Sequence, residues 1–270
     1  MPELPEVETV ANGVHQRVHG QTIVDVDLRK NPQTFKSPLP EIAEVLTGAK
    51  IERVHRVGKT IVFDLTRKPK KTAVQFLVHL GMTGRLLVSA PETELPPHTH
   101  ATLTLSGGKE LRFVDARRFG RLSLLHEPYA GPGSEPLTIP LEEFIALFRN
   151  RKTPIKAALL NQSLLHGVGN IYADEALFHA GIRPRRQAGR LTRDELTRLR
   201  AALQKVLKHA IKLGGSSVSD YVDADGVAGF FQLHHRVYSR TGEPCRTCST
   251  PIERIVIGGR STHFCPTCQK

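Results

Sequence analysis

Pro2 and Glu3 are the residues of this chain whose types and placement most directly offer covalent chemistry. With Met1 removed, Pro2 becomes an N-terminal secondary amine beside a carboxylate. An α-amine titrates at roughly 7.7–8.0 in an ordinary chain, so a substantial fraction is an unprotonated nucleophile at neutral pH. Its attack on an aldehyde-level carbon gives an iminium ion. That ion cannot lose its charge by shedding a proton from nitrogen, so it remains a strong electron sink, the Schiff-base form of covalent catalysis. The same proline also fits just inside the start of a helix, where its missing N–H costs nothing. The segment alone leaves both readings open.

The second constellation is metal-binding. All four cysteines, Cys245, Cys248, Cys265 and Cys268, fall in the last 26 residues, as two Cys-x2-Cys pairs separated by sixteen residues. Each pair turns two thiolates toward one point, and two pairs complete a tetrahedron. Two disulfides are the alternative, out of place in a reducing compartment. Four thiolates leave no open coordination position, so the expected ion is one structural Zn²⁺, without which a tail of about 40 residues has too little core to fold.

These residues need elements to hold them. Leu4, Val7, Ala11, Val14 and Val18 recur at helical intervals and predict a helix over 5–18. Glu3 and Glu6 then lie near its positive end. From residue 22 to 125 the period changes to two, and strands are expected over 23–28, 51–57, 60–65, 72–80, 85–88, 100–105, 110–115 and 120–125, with a hairpin turn at 106–109. Such a run of short strands suggests an antiparallel sandwich or barrel. The basic run 67–71 reads as a solvated turn, with DNA contact as the alternative. Gly131-Pro132-Gly133-Ser134-Glu135-Pro136 is the clearest linker. Helices follow over 141–149, 155–161, 171–180 and 193–213. The second and third are separated by the glycine-rich turn His166-Gly167-Val168-Gly169-Asn170, suited to close backbone approach of a phosphate. Residues 219–231 lack a period and read as a mobile loop.

The chain has 270 residues, a formal net charge of +12 and a sequence pI near 9.8. It has room for two domains and a smaller unit, and its basicity points to a polyanionic partner. No apolar run approaches a membrane span, and the acidic, proline-containing start is no secretory signal. An intracellular protein is expected.

Taken together, the residues resemble one family, formamidopyrimidine-DNA glycosylase, across nearly the whole chain. The anchors are 2–9 (PELPEVET), 79–84 (HLGMTG), 115–120 (DARRFG), 167–175 (GVGNIYADE) and the four-cysteine tail. The resemblance implies an α+β multidomain fold. It would comprise an N-terminal helix with an antiparallel β-sandwich (1–130), a helix–two-turn–helix domain (131–228) and a four-cysteine zinc finger (229–270), with DNA in the cleft between the two larger parts. It implies a bacterial, cytoplasmic, monomeric base-excision repair enzyme. Such an enzyme removes oxidised purines (8-oxoguanine, formamidopyrimidines) from damaged double-stranded DNA and cleaves the abasic strand by β,δ-elimination.

The resemblance also implies roles. Pro2 attacks C1′, Glu3 assists opening of the sugar, and Glu6 supports them. Lys59 contacts the phosphate beside the lesion and takes part in β-elimination, and Arg260, at the finger tip, aids δ-elimination. Met82, Arg117 and Phe119 match the residues that fill the void left by an extruded nucleotide, with Arg117 facing the orphaned cytosine and Asp115 steadying the arginine pair. His98, Arg151, Asn170, Tyr238 and Lys156 match DNA contacts, and Arg118 is a further backbone contact. Ala116 and Ala228 depart from the family's common residues. Two alternatives stand beside this reading: the sister endonuclease VIII class, which prefers oxidised pyrimidines, and a non-catalytic DNA-binding protein. The void-filling set argues against the former, and the Pro2-Glu3 start against the latter.

Overall fold

In the computed structural model, helix α1 spans Leu4–Val18 and buries Leu4, Val7, Ala11, Val14 and Val18 completely. Its start is set by a reciprocal capping box. Glu3 as N-cap accepts from the backbone of Glu6, and the Glu6 carboxylate accepts the Glu3 N–H at 2.8 Å. The described residues are 1–29, 33–67, 72–217 and 221–270. They fall into two units, Met1–Ala130 with Gly214–Phe230, and Gly131–Leu213 with Phe231–Lys270.

The first unit is built on two four-stranded antiparallel sheets. One joins β1 (Ile23–Leu28), β6 (Thr99–Leu105), β7 (Glu110–Val114) and β5 (Arg85–Ser89), in that order. The other joins β2 (Lys50–Val57), β3 (Thr60–Arg67), β4 (Thr72–His79) and β8 (Arg121–Leu125). The inward residues of both sheets and the apolar face of α1 form one core, including Val10, Val14, Ile51, Phe63, Phe76, Leu103, Phe113 and Leu122. Alternation along the strands therefore did predict the sheets. Helix α2 (Leu39–Leu46) was not expected. Pro38 sits at its N-cap and Pro40 in its first turn, where a missing N–H costs nothing, and Ile42 and Leu46 are buried beneath it. Of the basic run, residues 68–71 lie outside the described residues.

The loop after the helical part belongs to this unit. The Ser216 N–H donates to Glu6 Oε1 at 2.8 Å, the Tyr221 hydroxyl to the Glu6 carbonyl at 3.3 Å, and the Val88 N–H to the Ala224 carbonyl at 3.1 Å. Within the stretch expected to be a mobile loop, Asp223 Oδ1 accepts from the Asp225 and Val227 N–H groups, closing a turn. Residues 218–220 lie outside the described residues.

The second unit holds α3 (Leu141–Phe148), α4 (Ile155–Leu160), α5 (Asn170–Ala180) and α6 (Arg193–Lys212). The turn between α4 and α5 is long, and Gly169 sits at the α5 N-cap. α6 starts on a Thr192–Glu195 capping box and buries Leu196, Leu199, Leu203, Val206 and Leu207 along one face. The unit ends in a hairpin of β9 (Glu253–Ile257) and β10 (Arg260–Phe264), also unexpected. Its turn residues Gly258 and Gly259 have φ of 56° and 73°, the pairing a two-residue hairpin loop demands and side chains resist. No helix among the described residues is long and apolar enough to cross a membrane.

Candidate functional site

In the first unit, Pro2 is buried and joined to Met1, so its nitrogen is an amide and becomes an amine only once Met1 is removed. Glu3 and Glu6 beside it are 4% and 2% exposed. The two Glu6 carboxylate oxygens are divided: Oε2 takes the Glu3 N–H and Oε1 the Ser216 N–H. Glu6 is therefore a fixed structural acceptor that orients the backbone carrying Glu3. Lys59 stands half-buried in the Gly58–Lys59 turn between β2 and β3. Arg56 ties that turn to α1, donating to Glu8 Oε2 at 2.6 Å and to the Gly58 carbonyl at 3.1 Å.

His79, at the end of β4, joins this set although it was not anticipated. Burial, then the positive charges of Lys59 and Arg121, push its pKa below the ordinary histidine value. Neutral, its Nδ1 accepts the Gly81 N–H at 3.1 Å, which fixes the start of the Gly81–Gly84 turn. Its signal in the sequence is its place at the head of the HLGMTG segment.

Met82 and Phe119 are 41% and 51% exposed, so they are not core residues. The Arg117 guanidinium lies over the Phe119 ring, 4.8 Å from its centroid. Gly81, with φ of 65°, lets the two turns touch: a Cβ there would come within 2.5 Å of the Phe119 carbonyl carbon. Fully buried Asp115 organises both. Its Oδ1 accepts from Thr83 Oγ1 at 2.5 Å and from the Arg117 N–H at 3.3 Å, and its Oδ2 accepts the Gly120 N–H at 2.7 Å. It thus steadies the turn that carries Arg117 and Arg118 through its backbone. The Asp115 N–H also donates to the carbonyl of exposed His98 at 3.0 Å. Met82, His98, Arg117 and Phe119 are therefore presented by one hydrogen-bonded cluster. Arg118 is exposed within it, with φ of 60°.

In the second unit, Asn170 opens α5 and its Nδ2 donates to the Ser261 carbonyl at 2.9 Å. Arg260, the neighbour of Ser261, is exposed beside the hairpin turn. Half-buried Tyr238 is held through its N–H, which donates to Glu175 Oε1 at 2.9 Å, and its ring packs edge-on between His235 and His263. Glu175 also accepts the Arg236 and Val237 N–H groups. Its burial raises its pKa against the pull of these three donors. Arg151 is half-buried, its Nε donating to the Leu147 carbonyl.

Lys156 corrects the expectation of a DNA contact. It is completely buried, pairs with Asp174 Oδ1 at 2.5 Å and donates to the Ser261 carbonyl at 2.9 Å. An ammonium so enclosed cannot reach a phosphate outside; it holds the hairpin.

The four cysteine sulfurs all lie within 4.8 Å of one another. Cys245 and Cys268 Sγ are 3.9 Å apart, and Cys248 and Cys265 Sγ 3.4 Å. None is in a disulfide. A tetrahedron of Zn–S bonds of about 2.3 Å has edges of about 3.8 Å, so the cluster fits a zinc ion. The apolar residues around it, Phe178, Val237 and Ile252, are few.

Comparison with known proteins agrees across the chain. Residues 1–122 match the formamidopyrimidine-DNA glycosylase N-terminal domain, 131–222 the formamidopyrimidine-DNA glycosylase H2TH domain, and 242–270 the zinc finger found in FPG and IleRS. The formamidopyrimidine-DNA glycosylase of Solibacter usitatus is 46% identical over 274 residues, covering all of both chains. Among solved structures, the MutM (Fpg) protein of Thermus thermophilus is 42% identical, with a TM-score of 0.86 over 99% of this chain and 98% of that one. A Lactococcus lactis Fpg mutant in complex with Fapy-dG-containing DNA superposes with a TM-score of 0.90 over all of both chains, at 33% identity.

Proposed function

This chain belongs to the formamidopyrimidine-DNA glycosylase family, and on that premise we propose that it repairs damaged duplex DNA. It excises oxidised purines, 8-oxoguanine and formamidopyrimidines, and cleaves the abasic strand that results. The Pro2 amine, freed of Met1, displaces the base at C1′ while Glu3 gives a proton to the opening sugar. The resulting iminium acidifies C2′–H. Loss of that proton breaks the C3′–O bond, and the 3′ phosphate departs with the electron pair. Loss of the C4′ proton then breaks the C5′–O bond and releases the 5′ phosphate. Hydrolysis of the remaining imine returns the amine. Lys59 stabilises the first departing phosphate and Arg260 the second, as preorganised cations do for developing negative charge.

The observation that carries this reading is the pair of buried carboxylates at the N-terminus of α1, where Glu6 is spent on backbone N–H groups and Glu3 stands next to Pro2. Both carboxylates take part in the capping box, and it is Glu3, held buried beside the potential secondary amine, that is placed to serve chemistry. Met82 and Phe119 act as wedges in the gap left by the extruded nucleotide, and Arg117 reads the orphaned cytosine. His98, Arg151, Asn170 and Tyr238 bind phosphate. One Zn²⁺ on Cys245, Cys248, Cys265 and Cys268 would stabilise the finger and supply no step of the reaction. The enzyme works as a monomer. Its functional division is 1–130, 131–228 and 229–270, although 214–228 builds onto the first unit.

The test is borohydride trapping on a duplex carrying 8-oxoguanine or an abasic site. The Met1-free protein should become covalently joined to DNA, Pro2→Gly should trap far less, and protein retaining Met1 should not trap. Undiminished trapping by the Met1-retaining protein would move the nucleophile to Lys59.

A further inference from the structure

Among the described residues strand β10 has one strand neighbour, so half of its backbone groups face away from β9. A two-stranded hairpin in water is marginal by itself. The register pairs Arg260 with Ile257 across the turn, which turns the Ser261 carbonyl and the His263 N–H outward on the same side. Both outward groups are taken by α4 and α5. Lys156 Nζ and Asn170 Nδ2 each donate to the Ser261 carbonyl at 2.9 Å, and Asp174 Oδ2 accepts the His263 N–H at 2.9 Å. Asp174 Oδ1 closes the set on Lys156 at 2.5 Å, and both side chains of that pair have no exposure. Three side chains thus do for the outer edge of β10 what a third strand would do.

Burying an ion pair is a poor route to stability, because desolvation offsets most of the attraction. What a buried, fully hydrogen-bonded pair does supply is one fixed geometry, and the residue next to the clamped carbonyl is Arg260. We propose that Lys156 and Asp174 are positioning residues that set the place of Arg260 and thereby decide how far elimination proceeds after the first strand cut. With the clamp intact, Arg260 meets the second departing phosphate and both C–O bonds break. Without it, the hairpin tip wanders and the product stops after C3′–O cleavage. The inference rests on the part proposed above for Arg260 in the second elimination.

The test is the ratio of singly to doubly eliminated product from an abasic duplex, resolved on a denaturing gel. The variants are Lys156→Met/Asp174→Leu, which removes both buried charges together, Arg260→Gln, and the triple combination. The double variant should raise the ratio about tenfold, in line with loss of charge-assisted hydrogen bonds, while its borohydride trapping and zinc content stay at wild-type level. In the Arg260→Gln background the same pair should add nothing further. If Arg260→Gln changes the ratio and the double variant does not, the clamp has no part in partition and the inference is overturned. If Arg260→Gln itself leaves the ratio alone, both the role of Arg260 and the inference fall. If the double variant loses zinc, amide exchange in the wild type decides: His263 N–H should be as protected as the β9–β10 ladder amides, and free exchange there would overturn the clamp.

Discussion

The two units hold their candidate groups by opposite means. In the first, a large apolar core fixes two sheets, and buried carboxylates collect the backbone N–H groups of the turns. Asp115 does this for the turns bearing Met82, Arg117 and Phe119, and Glu6 for the start of α1. In the second, the hairpin bearing Arg260 rests on a cluster of few apolar residues, a buried ion pair and four sulfurs. The apolar effect stabilises in proportion to area buried, at about 25 cal/mol per Å². A hairpin of two five-residue strands buries too little to fold alone, so its geometry depends on metal and charge. The first unit should therefore tolerate metal loss, and the finger of the second should not.

The largest effect follows from breaking that dependence. Chelation of zinc, or Cys248→Ser, should unfold the finger and lower affinity for a lesion duplex by about 100-fold or more, since metal binding is folding free energy for such small modules. Far-ultraviolet dichroism should keep most of its β signal, because β9 and β10 form a sheet of their own, separate from the two sheets of the first unit. Loss of the β signal along with zinc would erase the contrast between the units.

The complementary break is Asp115→Ala in the first unit. It strands the buried Gly120 N–H, takes the acceptor from the Thr83 hydroxyl, and should cost about 2–4 kcal/mol of stability by denaturant titration. Zinc content should not change. A narrower cut, Arg117→Ala, leaves that backbone intact. Excision opposite cytosine should fall, and the preference for cytosine over adenine partners should shrink about tenfold, the worth of one charged donor. Equal loss opposite both bases would make Arg117 a backbone anchor.

The same contrast explains what the sequence made legible. The strands and α1 were readable because Val, Ile, Leu and Phe recur with the period of the element they build, and the zinc cluster because Cys-x2-Cys is local. The family resemblance located the turns at 79–84 and 115–120. Residues whose partners are distant in sequence were not legible. Lys156 pairs with Asp174 and with Ser261, 105 positions away, and nothing in the local sequence distinguishes a buried lysine from a phosphate-binding one. Asp115 likewise was placed only beside its neighbouring arginines, and its partners are the Thr83 hydroxyl, 32 positions away, and backbone N–H groups that every residue carries. α2 was hidden by prolines that fit a first helical turn as well as a loop. β9 and β10 were hidden by their shortness and by the pull of the cysteines on either side.

The smallest expected effect sharpens the comparison through pH. His235, in the second unit, is buried, packed edge-on against Phe231 and Tyr238, and its pKa is pushed down to about 4, chiefly by burial. In the unfolded chain it returns to about 6.5. A depressed folded pKa means the native state prefers the neutral ring. The stability it contributes is present above about pH 6.5 and is lost as pH falls toward 4, where the ring protonates in the native state too. Between pH 7.5 and 5.5 the unfolded state gains most of a proton that the native state refuses, worth about 1.4 kcal/mol. His235→Gln should remove that increment, so the variant should lose less stability over this interval than the wild type. Both proteins keep the same four thiolates, so acid loss of zinc contributes equally and cancels in the difference. The measurement is urea unfolding at the two pH values, followed by a probe confined to the second unit, such as the NMR signals of the Tyr238 ring. Equal pH dependence in the two proteins would show that His235 is solvated, and that packing around Tyr238 is looser than the rings in this structure indicate.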